Sequence, residues 1–189
     1  MISAILLAAG QSKRMDGENK LTKEIQGTPL IKLSVKNIIA SSIDELIIVL
    51  GHQKEIIEKL IDKNEKIKFV FNKNFEKGMA SSIKIGLNNL SEKTEAFFIC
   101  LGDMPMVNSN IYNQLINSRN QKNIIVPTYN GQQGNPVLFD KSMKEKIMAI
   151  QGDVGAKKIL KLNRDTILNV EVGNQSIRKD FNTKDDFIY

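Results

Sequence analysis

Four short apolar runs, at residues 2–7, 46–50, 67–71 and 97–101, limit most strongly what this chain can fold into. They are rich in β-branched and aromatic residues. Their apolarity is continuous rather than alternating, which suits strands covered on both faces, as in a parallel sheet. Helical patterns lie between them. Leu30, Leu33, Ile38 and Ile39 follow Thr28-Pro29, which reads as an N-cap and a first-turn proline. Ile56, Ile57, Leu60 and Ile61 recur at helical spacing, as do Ile83, Leu87 and Leu90. Strand–helix alternation of this kind predicts an open α/β sheet.

The second half is less regular. Residues 124–126 and 136–139 flank Asn130-Gly131-Gln132-Gln133-Gly134, which reads as a hairpin or long turn and brings an antiparallel element into a mostly parallel sheet. Helices around 141–150 and 155–162, a strand at 166–172 and a short terminal helix complete the expected order. No linker, low-complexity tract or repeat interrupts the chain. At roughly 150 residues per domain, its 189 residues fit one domain, 1–189. In open α/β sheets ligands bind beyond the carboxyl ends of the strands, so residues that directly follow strands are the ones to inspect.

Composition removes several classes. Cys100 is the only cysteine and His52 the only histidine, which excludes an intramolecular disulfide, a cysteine zinc site and any histidine-built triad or metal cluster. Cys100, inside an apolar run, reads as an inert core thiol, and disulfide-free cysteine usage fits a reducing compartment. No apolar run approaches the ~18 residues of a membrane span. The apolar start lacks a basic n-region and runs into Lys13 and Arg14, which reads against a signal peptide and for a cytoplasmic protein. Net charge is +6, but 23 of the 27 basic residues are scattered lysines and tryptophan is absent. That pattern disfavours a nucleic-acid partner and suits a small anionic substrate.

Three segments carry the chemistry. Leu7-Ala8-Ala9-Gly10-Gln11-Ser12-Lys13-Arg14-Met15, with Lys20 beyond, follows the first strand. Small residues let the backbone approach a ligand and consecutive amides can cradle an anion, while Ser12, Lys13, Arg14 and Lys20 can bond phosphate. An ordinary strand-to-helix loop with solvated lysines fits the same residues. The segment is neither G-x-G-x-x-G nor G-x-x-x-x-G-K-[ST], which leaves an NAD(P)-dependent oxidoreductase without its fingerprint. Asp103, in Leu101-Gly102-Asp103-Met104-Pro105, stands where a carboxylate can meet a phosphate-bound Mg²⁺ or cap a turn. Asp180 and Asn182, at i and i+2 of an extended segment, share a side and suit one cation; Thr183 with Asp185 and Asp186 reads as a helix start.

Weaker signals come from Gly78, Ser81 and Ser82, at a strand-to-helix junction that suits a base or ribose or a plain helix start. Asn135 in Gly134-Asn135-Pro136-Val137, and Asp153 and Lys157 in Gln151-Gly152-Asp153-Val154-Gly155-Ala156-Lys157, suit a second pocket or simple turns. His52 reads as a loop or capping residue.

Taken in order, these segments resemble the MobA-like nucleotidyltransferases, most closely the molybdenum cofactor cytidylyltransferases. The family's opening Leu-Ala-Ala-Gly-x-Ser-x-Arg-Met with a lysine soon after is matched from Leu7 to Lys20. The likeness continues through Leu50-Gly51-His52, Gly78-Met79-Ala80-Ser81-Ser82, Asp103-Met104-Pro105, Gly134-Asn135-Pro136-Val137-Leu138-Phe139 and Gly152-Asp153-Val154-Gly155-Ala156-Lys157. The last two blocks are its specific ones. Asp16 interrupts the usual Met-Gly, and the terminal Asp-x-Asp-Thr-Pro-Glu-Asp appears as Asp180-Phe181-Asn182-Thr183-Lys184-Asp185-Asp186.

The resemblance implies a Rossmann-like three-layer nucleotide-diphospho-sugar transferase fold, with a nucleotide-binding half over 1–105 and an acceptor-binding half over 106–189. It implies transfer of CMP from CTP to the terminal phosphate of molybdopterin, release of pyrophosphate, and Mg²⁺ with Mn²⁺ able to substitute. Arg14, Lys20 and Asp103 would be catalytic. Leu7, Ala8, Ala9, Gly10, Ser12, Lys13, Gly78, Ser81, Ser82 and Asp103 would bind nucleotide. Asp103, Asp180 and Asn182 would hold metal, and Asn135, Asp153 and Lys157 the acceptor. Leu-Ala-Ala-Gly speaks for cytosine, since the guanylyl relatives read Leu-Ala-Gly-Gly. A client molybdoenzyme is an implied partner. The competing expectations are another phosphorylated acceptor or base, such as a sugar phosphate, and a non-catalytic protein that delivers the cofactor.

Overall fold

The computed structural model describes residues 1–12, 15, 18–149 and 157–187. Its centre is an eight-stranded sheet that runs through both halves of the chain. In chain order the elements are β1 (Ile2–Ala8), β2 (Glu24–Ile25), β3 (Thr28–Pro29), α1 (Leu30–Ile39), β4 (Glu45–Leu50), α2 (Lys54–Lys59), β5 (Ile67–Phe71), α3 (Met79–Asn88) and β6 (Ala96–Leu101). Then come α4 (Ser109–Asn117), β7 (Ile124–Tyr129), β8 (Gln132–Gln133), β9 (Val137–Asp140), α5 (Lys144–Met148), α6 (Lys157–Leu162) and β10 (Ile167–Glu171). Across the sheet the order is β10-β7-β9-β6-β1-β4-β5, with β8 on β7. All main pairings are parallel except those of β9, which lies antiparallel between β6 and β7.

Continuous apolarity has the expected consequence in β1, β4 and β6. Leu6, Ile48 and Phe98 point to one face and pack with Leu30 and Val35 of α1, Ile57 of α2 and Ile111 and Leu115 of α4. Ile5, Ile47 and Phe97 point to the other and meet Ile83 and Leu87 of α3, Ile147 of α5 and Ile159 of α6. Three layers result, and the central strands β1, β4 and β6 are dry on both faces. Cys100 is buried in the first core, where loss of hydration pushes its thiol up to about 12 against the smaller opposing effect of a hydrogen bond with Tyr112. Gly86 lets α3 lie on β1, because a Cβ there would stand 2.3 Å from Ile5 Cγ2.

Two sequence expectations are corrected. β5 is not covered on both faces: it is the sheet edge, Lys68 and Phe71 are exposed, and Lys54 Nζ lies 4.2 Å from the Phe71 ring centroid. Thr28 does not cap α1. It pairs with Ile25 in the β2–β3 ribbon, and Pro29 takes the cap position with no side-chain bond. Residues 124–126 and 136–139 do pair antiparallel, as β7 with β9, across the intervening turn, and β9 pairs with β6 on its other side while the short β8 pairs back on β7. The short terminal helix is a single 3-10 turn, Lys184–Phe187.

The chain proceeds outward from β1 to β4 and β5, then returns to the other side of β1 for β6. The loops after β1 and β6 therefore diverge from adjacent strands at the sheet's switch point, where a crevice opens.

Candidate active site

The loop after β6 is held from three sides. Ser34 Oγ of α1 donates to the Gly102 carbonyl at 3.0 Å, Asn37 Nδ2 to the Pro105 carbonyl at 2.8 Å, and the Phe181 amide to the Asp103 carbonyl at 2.9 Å. Gly102 packs on the end of β1, where its amide bonds the Leu7 carbonyl at 3.1 Å and a Cβ would sit 3.0 Å from that same oxygen. Asp103 thus stands on a rigid turn.

Lys20 comes to it from the loop after β1. Its backbone amide donates to Ser12 Oγ at 3.1 Å, and its Nζ donates to Asp103 Oδ2 and, at 2.8 Å, to Asn182 Oδ1. Asn182 Nδ2 in turn donates to Asp180 Oδ2 at 2.5 Å. Residues separated by up to 162 positions form one chain of charge and hydrogen bonds, Lys20–Asp103 on one arm and Lys20–Asn182–Asp180 on the other. The Lys20 and Asp103 side chains are only 17% and 15% exposed, so water screens this pair weakly.

Asp103 Oδ1 is buried without a hydrogen-bond partner among the described residues, an arrangement that costs about 1–3 kcal/mol unless a ligand completes it. Two carboxylates and an amide oxygen are hard donors of the kind that hold a small divalent cation, which keeps water in its remaining positions. Among the described residues no group of three or more His, Cys, Asp and Glu gathers as a metal cluster, because Asn182 stands in the third place.

Asn182 is itself positioned. Asp186 Oδ2 accepts from the amides of Asn182 and Thr183, both at 2.8 Å, and from Thr183 Oγ1 at 3.0 Å. These bonds, the Asn182 amide foremost, hold the Asp186 carboxyl below the usual carboxylate range. Thr183 thus stands at the expected helix start, with Asp186 of the first turn reaching back to its amide and hydroxyl.

Two cavities flank this chain. The smaller, about 330 Å³, is lined by Leu7, Ala9, Gly10, Ser12, Lys20 and Asp103 on one side and by Phe75, Gly78 and Ser82 on the other. The larger, about 870 Å³, is lined by Gly134, Asn135, Val137, Asn169, Arg164 and Asp180. Met79 and Leu101 belong to both, so the two adjoin. Gly134 admits no side chain: a Cβ would lie 2.3 Å from the Ile177 carbonyl, which also accepts the Asn135 amide at 2.8 Å.

Among the expected site residues, Leu7, Ala9, Gly10, Ser12, Lys20, Gly78, Ser82 and Asp103 thus come together, with Asp180 and Asn182 at the seam and Asn135 in the neighbouring cavity. Ala8 is buried in the core behind the loop. Ser81 does not line the cavity; its hydroxyl accepts from Asn72 Nδ2 at 2.8 Å and donates to the Gly78 carbonyl. Lys20 is engaged with Asp103 and Asn182 rather than projecting as a free phosphate ligand. Lys13, Arg14 and Asp153 lie outside the described residues, and of Lys157 only its place at the start of α6 is described. His52 is off the cavity walls, with its ring 6.2 Å from that of Phe75.

Sequence reasoning missed Ser34, Asn37, Asn72, Phe75 and Arg164. Asn72 is buried, and its amide also reaches Ser82 Oγ at 3.0 Å, which fixes the start of α3. A polar residue directly after a strand was the only available signal, and it was not read.

Known proteins give the arrangement a family. The chain is 27% identical over 187 residues to the molybdenum cofactor cytidylyltransferase of Escherichia coli K12, covering 99% of this chain and 94% of that one. It is 31% identical over 131 residues to a probable molybdenum cofactor guanylyltransferase of Methanosarcina acetivorans, covering 67% of this chain and 57% of that one. Its fold matches the crystal structure of Rv0371c from Mycobacterium tuberculosis H37Rv with a TM-score of 0.87 and 22% identity, over 98% of this chain and 95% of that one. A manganese complex of Rv0371c matches with a TM-score of 0.83 and 20% identity, covering 98% and 95%. Residues 4–168 match the model of the MobA-like NTP transferase domain, and the chain belongs to that family of nucleotidyltransferases.

Proposed function

We propose that this nucleotidyltransferase moves CMP from CTP onto the terminal phosphate of molybdopterin and releases pyrophosphate. The observation that carries the reading is the Lys20–Asp103–Asn182–Asp180 chain at the seam of two adjoining cavities, one walled by small residues of the first loop and one large enough for a bulky acceptor. The E. coli relative is named for cytidylyl transfer to this cofactor, and the Ala8-Ala9-Gly10 loop agrees with its choice of nucleotide.

Asp103 would hold Mg²⁺ through its unpartnered Oδ1, with Asp180 and Asn182 as further oxygen donors. Rv0371c, of the same fold, has been crystallised with manganese. When bound, such an ion offsets charge that develops on the phosphate oxygens. The protein's own part is placement. The Ala9–Ser12 backbone lies against the triphosphate, and Lys20 supplies a mobile positive charge beside it. Gly78 and Ser82 border the nucleoside end, with Ser82 held by Asn72. The acceptor enters by the larger cavity, where Asn135 and Arg164 present polar groups.

The attacking atom is an oxygen of a phosphate monoester, largely ionised at neutral pH. A new bond forms from it to the α-phosphorus, the bond between the α-phosphorus and the α–β bridging oxygen breaks, and that oxygen leaves with pyrophosphate. No proton need be removed, so a site without histidine is chemically sufficient. Pyrophosphate release from CTP, GTP, ATP and UTP, measured with Mg²⁺ and an acceptor panel that includes molybdopterin and sugar phosphates, tests the reading. Release with CTP and molybdopterin above every other pair supports it. Faster release with GTP or with a sugar phosphate overturns that part of it.

A further inference from the structure

A cation of the chain's own already sits against the place a metal ion would take. Lys20 Nζ lies between Asp103 Oδ2 and Asn182 Oδ1. The second is an oxygen that the nucleotidyltransfer reading gives to the divalent ion, and the first shares its carboxylate with Oδ1, the atom left for that ion. Asn182 is held in that orientation from behind, by Asp180 at its amide nitrogen and by Asp186 at its backbone. The backbone of Asp103 is held by the Phe181 amide, and that of its neighbour Gly102 by Ser34 of α1, so the two acceptors are presented to Lys20 from anchored segments.

An ammonium on one oxygen of this carboxylate and a divalent ion on the other would compete for Asn182 Oδ1, and at such close range their charges repel. Lys20 is the movable member. Its side chain is long and unbranched, its Nζ sits at the wall of the smaller cavity, and that cavity leads to the amides of the loop after β1. A triphosphate in that cavity offers the ammonium several anionic oxygens in exchange for one carboxylate and one amide.

We infer that Lys20 is a resident stand-in for the metal, and that the site therefore accepts the divalent cation only together with a triphosphate, which draws Lys20 off Asp103 and Asn182. The substrate is then the metal–nucleotide complex, and free metal ion is excluded by the protein's own charge. Lys20 has two stations, an acidic one without nucleotide and a phosphate one with it. This inference rests on the nucleotidyltransfer reading for the identity of the anion.

The test is metal binding rather than turnover. Mn²⁺ is titrated, with its free concentration followed by electron paramagnetic resonance, against the wild-type protein and Lys20→Met, each without nucleotide and with a CTP analogue whose α–β bridging oxygen is a methylene. Wild type should bind Mn²⁺ alone weakly. Lys20→Met should bind Mn²⁺ alone at least 10-fold more tightly, since a methionine of similar length neither competes for the oxygens nor repels the ion. A purely structural role for Lys20 would weaken metal binding, not tighten it. Asp103→Asn added to Lys20→Met should abolish the gain. Lys20→Gln, which keeps a donor for Asn182 without the charge, gives the same comparison if the methionine variant does not fold. Equal or weaker Mn²⁺ binding in the folded variants overturns this inference alone. Absence of Mn²⁺ binding in every arm, with the nucleotide analogue included, overturns the metal assignment and this inference with it.

Discussion

Phe181 and Asp103 are joined backbone to backbone, the amide of one on the carbonyl of the other at 2.9 Å. Through that bond the segment near the end of the chain becomes a neighbour of the loop after β6, and Asp180 and Asn182, on either side of Phe181, flank Asp103. Phe181 is itself fully buried, with its ring edge-on to Phe187 at 5.3 Å. The hydrophobic core thus sets the distance between two halves of an acidic site.

Removal of the Asp103 carboxylate should separate catalysis from stability. Asp103→Ala leaves Lys20 with Asn182 as a neutral acceptor and with access to the cavity, so the folded state should lose about 1–3 kcal/mol. Turnover should fall by orders of magnitude, because a group that acts on the transition state is felt mainly in kcat. Asp103→Asn should be nearly as inactive. Chemical denaturation and pyrophosphate release measure the two effects, and near-normal turnover in either variant would return Asp103 to the role of a turn residue.

Nucleotide choice should appear as stabilisation. A ligand that binds only the folded state raises the melting temperature, so CTP with Mg²⁺ should raise it more than GTP does. Ala9 sits against Gly51, where any Cβ would come within 2.7 Å of the Ala9 Cβ, so the loop is fixed from behind. Ala9→Gly should loosen the preference for CTP and leave phosphate binding in place. A larger shift with GTP on the wild-type protein would redirect the reading to guanylyl transfer.

The parts of this structure that were legible in the sequence are those in which local pattern and tertiary fate coincide. β1, β4 and β6 are buried on both faces, and their sequences are apolar but for Ser3 and Glu45. β5 looked similar but lies at the edge, and only the positions of Lys68 and Phe71 record that. α4 is hard to see in the sequence because Asn110, Asn113 and Asn117, weak helix formers, dilute Ile111, Tyr112 and Leu115, and tertiary packing overrides propensity there. The insertion of β9 between β6 and β7 is a non-local pairing that no local period encodes. In the site, small residues and a proline turn after strands pointed to the two loops. The clamps Ser34, Asn37 and Asn72 read as ordinary polar surface, and the contact between Lys20 and Asp103, 83 residues apart, has no sequence signature.

The anchor of Asn182 should be sensitive to acid. The Asp186 carboxyl is held below its ordinary value by the amides of Asn182 and Thr183, so the folded state favours its ionised form. A depressed carboxylate contributes stability that is present above the unfolded value, roughly 3.9, and is lost as pH falls through the folded value. Protection of the Asn182 and Thr183 amides, read as exchange relative to the intrinsic rate at each pH, should therefore be high at pH 6 and fall below about pH 4. Asp186→Asn should abolish that step and leave both amides weakly protected at every pH. Parallel behaviour of variant and wild type would show that Asp186 does not hold the segment.

The two cavities make phosphate chemistry and acceptor recognition separable. Lys20 borders the smaller cavity and Asn135 the larger, and among the described residues only Met79 and Leu101 are common to both. Lys20→Ala should depress pyrophosphate release with any acceptor, since loss of one charge-assisted phosphate contact costs ~1.5–3 kcal/mol, or roughly 10- to 100-fold. Asn135→Ala should instead raise the apparent KM for molybdopterin. A neutral hydrogen bond is worth ~0.5–1.5 kcal/mol, which corresponds to about a 2- to 10-fold rise. The bond from the Asn135 amide to the Ile177 carbonyl belongs to the backbone and survives the substitution, so the cavity wall should keep its shape. Asp153→Ala, outside the described residues, should behave as Asn135→Ala if the sequence reading of that block is right, because a carboxylate suits the N–H groups of a pterin better than it suits a triphosphate. Calorimetric titration of CTP against both variants decides the matter. Unchanged CTP affinity with a raised acceptor KM supports two separate half-sites, whereas weakened CTP binding in a folded variant would show that nucleotide and acceptor share that wall.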